Sequence, residues 1–371
     1  MGGVQSGNPH SKYTNDQFVM PEQPKQIRST AFISKFSISF PDSMPPKSRA
    51  HHFTVNFPNR DVAVIGYGSN DDSEFFNDIW MIDFANKKWQ KLPIDVSSVT
   101  PRSGATAVAV DFKIFVFGGL SNSQYLSDLH MIDLQAQTIT HLNGQSNATD
   151  HGPPGRIGHS MGYSSGKIAI WGGFNGNFLN DLWTYDTSNG TWTKVPCDAH
   201  GRADAAFATN DGNLYIIGSS KSDVIHRYNI ATNQVELLNP VGNPPPYELK
   251  GGMLVSVDRY LILVGGKLEN KRYAMIRAYD TVRNWWFILY VAPDGETTTL
   301  YDGMIDSNGI FMVPRIYDGS IVYRNRTREI VVMLGKPYMD PPSLNVISIG
   351  DALAFFHIQT DMRDMLEFVS L

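Results

Sequence analysis

The chain has 371 residues, a formal net charge of −5 at pH 7 and a single cysteine, Cys197. So small a charge gives no bulk attraction to nucleic acid, and one cysteine excludes an intramolecular disulfide. No apolar run approaches the roughly 18 residues that cross a bilayer. With no apolar segment at the N-terminus either, the sequence predicts a cytoplasmic protein without a nucleic-acid partner.

Residues 1–28 are predicted to form a flexible tail, because Met1–Lys25 is polar and rich in Gly, Ser, Asn and Pro. The tail begins Met-Gly-Gly-Val-Gln-Ser, which fits the N-myristoylation pattern with Gly2 as the acceptor. Two interpretations stay open: Gly2 carries a lipid, or the tail has no further role. A single myristoyl chain gives only weak, reversible membrane association.

Ala31–Phe40 alternates apolar and polar residues and ends before Pro41, which predicts a strand. It resembles the outer strand of a small sheet whose other strands are missing from its neighbourhood in the chain. Its partners are therefore expected elsewhere in the sequence.

The stretch Arg156–Pro196 shows the unit from which most of the chain is built. Four short apolar runs, bounded by Gly, Asn, Ser and Asp, predict four antiparallel strands: Ser160–Tyr163, Lys167–Trp171, Leu182–Tyr185 and Thr191–Val195. Gly172-Gly173 ends the second run, where a positive φ or a close backbone approach is expected. A sheet this small has two uncovered faces and needs neighbours.

The unit recurs at a spacing of roughly 46 to 54 residues, which is within the range of propeller blades. The other copies are Arg49–Pro93, Arg102–Leu142, Arg202–Leu238, Gly251–Leu289 and a less regular one, Gly303–Leu334, in which Pro314 replaces the first Gly. The Gly pair, the later Asp-Leu-Trp or Tyr-Asp segment and the following Trp resemble a kelch repeat over about residues 49–334.

The resemblance implies an all-β, kelch-type β-propeller, predicted to have six blades, with seven as the alternative. The strand Phe32–Phe40 is expected to close the ring against the C-terminal strands, for which Asn345–Ile349 and Ala352–Ile358 are the candidates. The propeller is thus predicted over residues 29–358.

Residues 359–371 are predicted to form a short amphipathic helix, from the absence of Gly and Pro and the spacing of Met362, Met365, Leu366 and Val369. Such a helix would either cap the propeller or dock on another chain, and both interpretations stay open.

The sequence offers little for catalysis, and no catalytic residue, metal ligand or cofactor is predicted. His51 and His52 are adjacent, so on a strand they face opposite sides and cannot easily share a metal. The alternative is a metal- or carbohydrate-related propeller enzyme of the galactose-oxidase-like superfamily. Such copper-radical oxidases need a cysteine cross-linked to tyrosine, and Cys197 lies in no matching constellation.

Four arginines stand just before the first strand of successive copies: Arg49, Arg102, Arg156 and Arg202. Equivalent positions in a ring lie at one radius, so the guanidinium groups are expected to converge on the channel mouth and to bind carboxylates. The resemblance supports this for Arg102, whose Pro101-Arg102-Ser103-Gly104 context matches peptide-binding kelch propellers. The other interpretation is that each arginine pairs within its own blade.

Aromatic residues between the second and third strands are the other candidates for partner contacts: Phe75, Phe76, Tyr125, Phe174 and Phe178. Aromatic side chains at loop tips on a rigid scaffold are typical of interaction surfaces. The sequence therefore predicts a non-catalytic interaction scaffold that binds a protein or peptide partner through one loop face, with an acidic segment as the candidate ligand.

Overall fold

A computed structural model describes residues 31–36 and 43–349, except 71–73, 144–151, 223, 270, 274–275, 290, 294–303, 306–310, 313–314 and 343. Within that part the chain is all β-structure apart from one 3-10 turn, Pro58–Arg60. No helix of the described residues has the length and apolarity that a membrane crossing requires. The tail predicted for residues 1–28, the strand candidate 352–358 and the helix predicted for residues 359–371 lie outside the described residues.

Six sheets, numbered as blades 1 to 6 along the chain, each contain four antiparallel strands in meander order. Blades 1 to 3 consist of Phe53–Phe57, Val62–Gly66, Ile79–Asp83 and Lys88–Lys91; Thr106–Val110, Lys113–Phe117, Leu129–Asp133 and Thr138–Asn143; and Ser160–Ser164, Lys167–Trp171, Leu182–Asp186 and Thr191–Val195. Blades 4 to 6 consist of Ala206–Asn210, Asn213–Ile217, Ile225–Asn229 and Gln234–Leu238; Met253–Val257, Tyr260–Val264, Ile276–Asp280 and Trp285–Leu289; and Ser320–Arg324, Glu329–Met333, Leu344–Ser348 and Ala31–Phe36.

Short strands extend three of the blades. Two hairpins lie between the second and third strands of blades 2 and 5: Leu120–Ser121 with Gln124–Tyr125, and Lys267–Leu268 with Lys271–Arg272. Val241–Gly242 adds a parallel strand to the edge of blade 5. Val291–Pro293, Phe311–Met312 and Met304–Ile305 continue blade 6 beyond Ala31–Phe36.

The N-terminal strand closes the ring, as predicted. Ala31–Phe36 pairs antiparallel with Leu344–Ser348, in a register that sets Phe32 opposite Ser348 and Phe36 opposite Leu344. The first strands of blades 6 and 1 then pack side by side, and the side-chain amide of Asn56 donates to the carbonyl of Tyr323 at 2.7 Å. The number of blades is six, and the kelch-type propeller expected from the repeats is confirmed.

The predicted bounds of the sixth copy, Gly303–Leu334, are wrong. Glu329–Met333 is the second strand of blade 6 and not its last, and the third strand is Leu344–Ser348. The residues at the Gly pair are Leu334 and Gly335, with φ of 58° and 90°, so Leu334 and not Pro314 stands at the first Gly position. The extra chain between blades 5 and 6 shifted the alignment by two strands.

A complete ring of backbone hydrogen bonds joins each blade to the next. The second residue of each Gly pair donates its N–H, over 2.8–3.0 Å, to a carbonyl of the next blade. The acceptor is Arg49 in blade 1 and the residue at the corresponding position in each other blade. The donor–acceptor pairs are Gly68–Arg102, Gly119–Arg156, Gly173–Arg202, Ser219–Leu249, Gly266–Ile316 and Gly335–Arg49. A Cβ on the first glycine would press on the same carbonyl, at 2.8 Å for Gly172 and Arg202. The Gly pairs therefore allow the blades to approach each other closely.

The core lies between the blades, so both faces of each sheet are covered. Blades 3 and 4 share a cluster that includes Trp171, Leu182, Leu214 and Tyr228. The second strand of blade 5, Tyr260–Val264, is buried at every residue. This explains why second strands are continuous apolar runs and do not alternate.

We expect removal of residues 1–36 to lower the melting temperature by at least about 2 °C relative to removal of residues 1–30, since a deficit of ~2 kcal/mol divided by an unfolding entropy of about 0.8 kcal/mol per kelvin gives a shift of two to three degrees. The longer truncation deletes the strand that covers the edge of Leu344–Ser348. Circular dichroism melts of the two truncated chains measure the difference. Equal melting temperatures would show that the ring does not depend on this strand.

Candidate functional site

A cavity of about 730 Å³ opens on the propeller axis. It is lined by the beginnings of the first strands of all six blades and by loops between second and third strands. Antiparallel strands alternate in direction, so these two sets of segments lie on one face of the ring. This face is called the loop face below.

Six residues with left-handed backbone surround the cavity mouth. Each lies two positions after Arg49 or after the residue that corresponds to Arg49 in its own blade. They are His51, Gly104, Gly158, Asp204, Gly251 and Asp318, with φ between 51° and 73°. Five backbone hydrogen bonds of 2.8–3.0 Å join neighbours in this set, for example from the N–H of Gly104 to the carbonyl of His51. The mouth is therefore a rigid feature, fixed by the main chain.

Charged groups converge at the mouth from blades 1, 4 and 6. Oδ2 of Asp318 lies 3.2 Å from Nε2 of His51 and 3.4 Å from Nζ of Lys336. Asp204 lies at the equivalent position in blade 4, and burial raises the pKa of its carboxyl, an effect that the charge of His51 opposes. Asp318 is thus paired with cationic groups, whereas burial and the charge of Asp318 disfavour the charged form of Asp204.

Lysines lie over aromatic rings at and beside this mouth: Lys336 lines the cavity, and Lys250 and Lys267 form a backbone bridge next to it. Tyr317 has Nζ of Lys267 at 5.2 Å from its ring centroid and Nζ of Lys336 at 5.7 Å. Nζ of Lys250 lies 6.0 Å from the centroid of Phe178. An ammonium group over a ring face is held by the ring quadrupole and stays accessible to an anion on its other side.

The predicted aromatic residues differ in exposure. Phe178 is 58% exposed, Phe75 lines the cavity, and Tyr125 and Phe174 form a half-buried edge-to-face pair with centroids 6.1 Å apart. Phe76, in contrast, is buried with the Arg49 guanidinium 4.2 Å from its ring centroid. Four of the five side chains are thus available at or near the loop face, and Phe76 is not.

The four arginines do not converge on the mouth as open guanidinium groups. Each is at least 97% buried within its own blade, where Nη1 donates to a carbonyl at the end of the second strand. The carboxylate partners are Asp78 for Arg49, Asp128 for Arg102 and Asp181 for Arg156, at 2.5–2.6 Å. Arg202 instead bonds Nδ1 of His226 at 2.6 Å. The expected exposure of these groups to a partner is wrong, because a buried guanidinium requires a partner within the fold.

The ion pairs set the protonation of the carboxyls. Burial alone would raise the pKa of Asp181, but hydrogen bonds from Arg156 and Trp183 outweigh it and hold the pKa below its usual value. The pKa of Asp78 is also lowered, because hydrogen bonds from Arg49 and Trp80 outweigh the effect of its burial. Both carboxyls are therefore charged at neutral pH and stabilise the fold.

One group of side chains could hold a metal ion in the part of the chain that the structure describes. Potential ligand atoms of Asp128, His130 and His141 lie within 4.8 Å of one another. Sequence reasoning missed this group because the two histidines are eleven residues apart and come together only as a cross-strand pair. Alignment of the copies carries the signal, since His130 stands where blades 1 and 3 have Trp80 and Trp183.

Comparisons with known proteins agree with the fold. A family model described as "KLHDC2/KLHL20/DRC7 Kelch-repeats domain" matches residues 7–218 and 144–299. The chain is similar to Tip elongation aberrant protein 3 of Schizosaccharomyces pombe, with 28% identity over 35% of this chain and 14% of that protein. It is also similar to Leucine-zipper-like transcriptional regulator 1 of Pongo abelii, with 22% identity over 70% of this chain and 27% of that protein.

A further relative has the name of an enzyme. The N-(sulfonatooxy)prop-2-enimidothioate sulfolyase of Thlaspi arvense is 25% identical over 56% of this chain and 69% of that protein. The chain spans less than a third of the length of the other two relatives.

Replacement of Arg156 by Ala is expected to lower the free energy of unfolding by about 3–5 kcal/mol, because Asp181 would remain as a buried charge without its partner. Urea denaturation of Arg156→Ala and of the wild-type chain measures the change. Lys221→Ala, which removes an exposed cation, is the control and should change stability by less than about 0.5 kcal/mol. If both variants were as stable as wild type, the buried pair would not support the fold.

The stability of the chain should fall as the pH drops below about 6.5, in part through His159. Burial, with a smaller effect from the charge of Arg156, lowers the pKa of His159 to about 3, so between these values the unfolded chain binds a proton that the folded one does not. One such group contributes a slope of about 1.4 kcal/mol per pH unit. We expect His159→Gln to reduce the slope of unfolding free energy against pH, measured by urea denaturation from pH 7 to 4, by about this amount. His200→Gln, at an exposed site, should leave it unchanged, and equal slopes for both variants would contradict the assignment.

Proposed function

Because the chain belongs to the kelch-repeat family, we propose that it is a non-catalytic interaction module whose loop face binds an acidic segment of a protein partner. The observation that carries the proposal is the cavity mouth, where Lys250, Lys267 and Lys336 lie over aromatic rings. The whole-chain charge of −5 gives no hint of this local distribution.

The shape of the mouth supports a peptide segment as the ligand. A cavity of about 730 Å³ is within the range of sites that enclose a small ligand or a few side chains. Its mouth is held by the five backbone hydrogen bonds described above, so little conformational entropy is lost on binding. Phe178 and the pair of Tyr125 and Phe174 add apolar surface at the edge of the same face.

The charges at the mouth favour an acidic segment over a basic one. Asp318 is already paired with His51 and Lys336, and Asp204 lies in surroundings that disfavour its charged form. The lysines are thus the groups that a ligand on this face would meet. Carboxylates that lie between them would gain from several ammonium groups at once.

An enzymatic function has narrower support. It rests on the names of relatives such as the sulfolyase, at 25% identity over 56% of this chain. The most strongly perturbed groups around the mouth, His52 and His159, are buried and held neutral, with pKa values lowered by burial to about 3. Groups of this kind are poor proton donors and acceptors at neutral pH.

Charge reversal at the mouth provides the test. A fluorescein-labelled 12-residue peptide of alternating Glu and Ser is the probe, with a Lys-Ser peptide of equal length as its control. The double change Lys250→Glu and Lys267→Glu should weaken binding of the acidic peptide by roughly tenfold or more in fluorescence anisotropy, and added salt should weaken the wild-type complex.

The matched control variant carries Lys88→Glu and Lys113→Glu, the same change of charge at strand beginnings on the opposite face of the ring. It should bind the acidic peptide as the wild type does. Equal weakening in both variants, or equal binding of the acidic and basic peptides, would overturn the proposal.

A further inference from the structure

The carboxylates of blades 1 and 3 have both oxygen atoms occupied. Asp181 receives Nη1 and Nη2 of Arg156 at 2.6 and 2.7 Å, and its Oδ2 also accepts Nε1–H of Trp183 at 2.7 Å. Asp78 has the same three donors, from Arg49 and Trp80, at 2.5, 3.2 and 2.6 Å. These two blades show how the repeat normally satisfies this buried anion.

Blade 2 departs from this pattern at the same carboxylate. Arg102 bonds only Oδ1 of Asp128, at 2.5 Å, and the tryptophan is replaced by His130. Nδ1 of His130 lies 3.5 Å from Oδ2 of Asp128 and makes no hydrogen bond within the described residues, although the side chain has no exposed surface. Oδ2 thus lacks the two donors that its counterparts have.

A second change accompanies the first on the neighbouring strand. In blades 1 and 3 the residue opposite the tryptophan is a lysine, in the pairs Trp80–Lys91 and Trp183–Lys194. In blade 2 the pair is His130–His141. An aromatic and a cationic side chain are both replaced by imidazoles beside one carboxylate. Two imidazoles and a carboxylate are a typical ligand set for Zn²⁺.

The strand geometry brings the three groups together. Asp128 and His130 are two residues apart and so share a face of the sheet, and His141 is the cross-strand neighbour of His130. The separation of 3.5 Å between Nδ1 and Oδ2 is long for a hydrogen bond. It is close to the ~3.4 Å expected between two ligands of a tetrahedral ion with bonds of about 2.1 Å.

The surroundings of His130 suit a ligand. Its Nε2 lies 2.5 Å from the hydroxyl oxygen of Tyr67 and can donate to it, which leaves the lone pair of Nδ1 directed at Asp128. His141 is exposed, which gives an ion a route from solvent and leaves room for a water ligand.

We propose that blade 2 carries a Zn²⁺ site formed by Oδ2 of Asp128, Nδ1 of His130 and a ring nitrogen of His141. Arg102 holds the other oxygen of the carboxylate and orients it, while its charge limits the affinity for a cation. The site is separate from the cavity mouth and does not depend on the proposed peptide binding. In the competing arrangement no ion binds, Tyr67 donates to Nε2, and Nδ1–H faces Asp128.

The test uses the full-length chain, freed of metal by a chelator and titrated with Zn²⁺ in a calorimeter, with the visible absorption of bound Co²⁺ as the second readout. We expect one ion per chain with tetrahedral Co²⁺ absorption, and a loss of affinity of at least about tenfold in His141→Ala. The double change His130→Trp and His141→Lys, which restores the pair found in blades 1 and 3, should abolish this binding in a chain with the wild-type circular dichroism spectrum.

His200→Ala removes an exposed imidazole from another part of the ring and is the matched control. It should bind Zn²⁺ as the wild type does. The proposal is overturned if the folded wild-type chain binds no Zn²⁺, if His141→Ala binds it equally well, or if His200→Ala is weakened to the same extent as His141→Ala.

Discussion

The contact on which the rest of the structure depends is the backbone hydrogen bond from the second residue of each Gly pair to the next blade. It needs a close approach of two main chains, and a Cβ on Gly265, for example, would lie 2.0 Å from the carbonyl oxygen of Ile316. Six such bonds close the circle, from Gly335 back to Arg49. The width of the axial cavity and the positions of the lysines around it follow from this spacing.

Most of the fold could be predicted because its determinants are local. The Gly pairs, the turn residues and the apolar runs recur within each copy and identify strands one by one. The last blade was harder to predict from the sequence, because its fourth strand, Ala31–Phe36, lies near the other end of the chain. Its third strand, Leu344–Ser348, comes after the Gly position. A pattern read along the chain cannot show a pairing between strands about 310 residues apart until the ring itself is assumed.

The arginines show a different limit of sequence reasoning. Repeat position predicts that they share a radius and a face, but it does not tell how deep each side chain lies. Their partners were present in the sequence, 25 to 29 residues later in blades 1 to 3, as the Asp of each repeat. In blade 4 Val224 stands at the position of that Asp, and His226, at the position of Trp183, bonds the arginine instead. His226 stays neutral because burial lowers its pKa to about 3. Blades 5 and 6 have Leu249 and Ile316 in place of the arginine, so a hydrophobic contact can substitute for the ion pair.

The pairing of the first strand with the last has a consequence for biosynthesis. Ala31–Phe36 leaves the ribosome before any blade is complete, and its partner Leu344–Ser348 follows only after all the others. At translation rates of about 5–20 residues per second, the early segment waits roughly 15–60 s for its partner. During that interval blades 1 to 5 can already stack on one another, while an unpaired β-edge stays open to other nascent chains and to chaperones. The ring can therefore close only in the last step of folding, when the segment synthesised first pairs with the segment synthesised last.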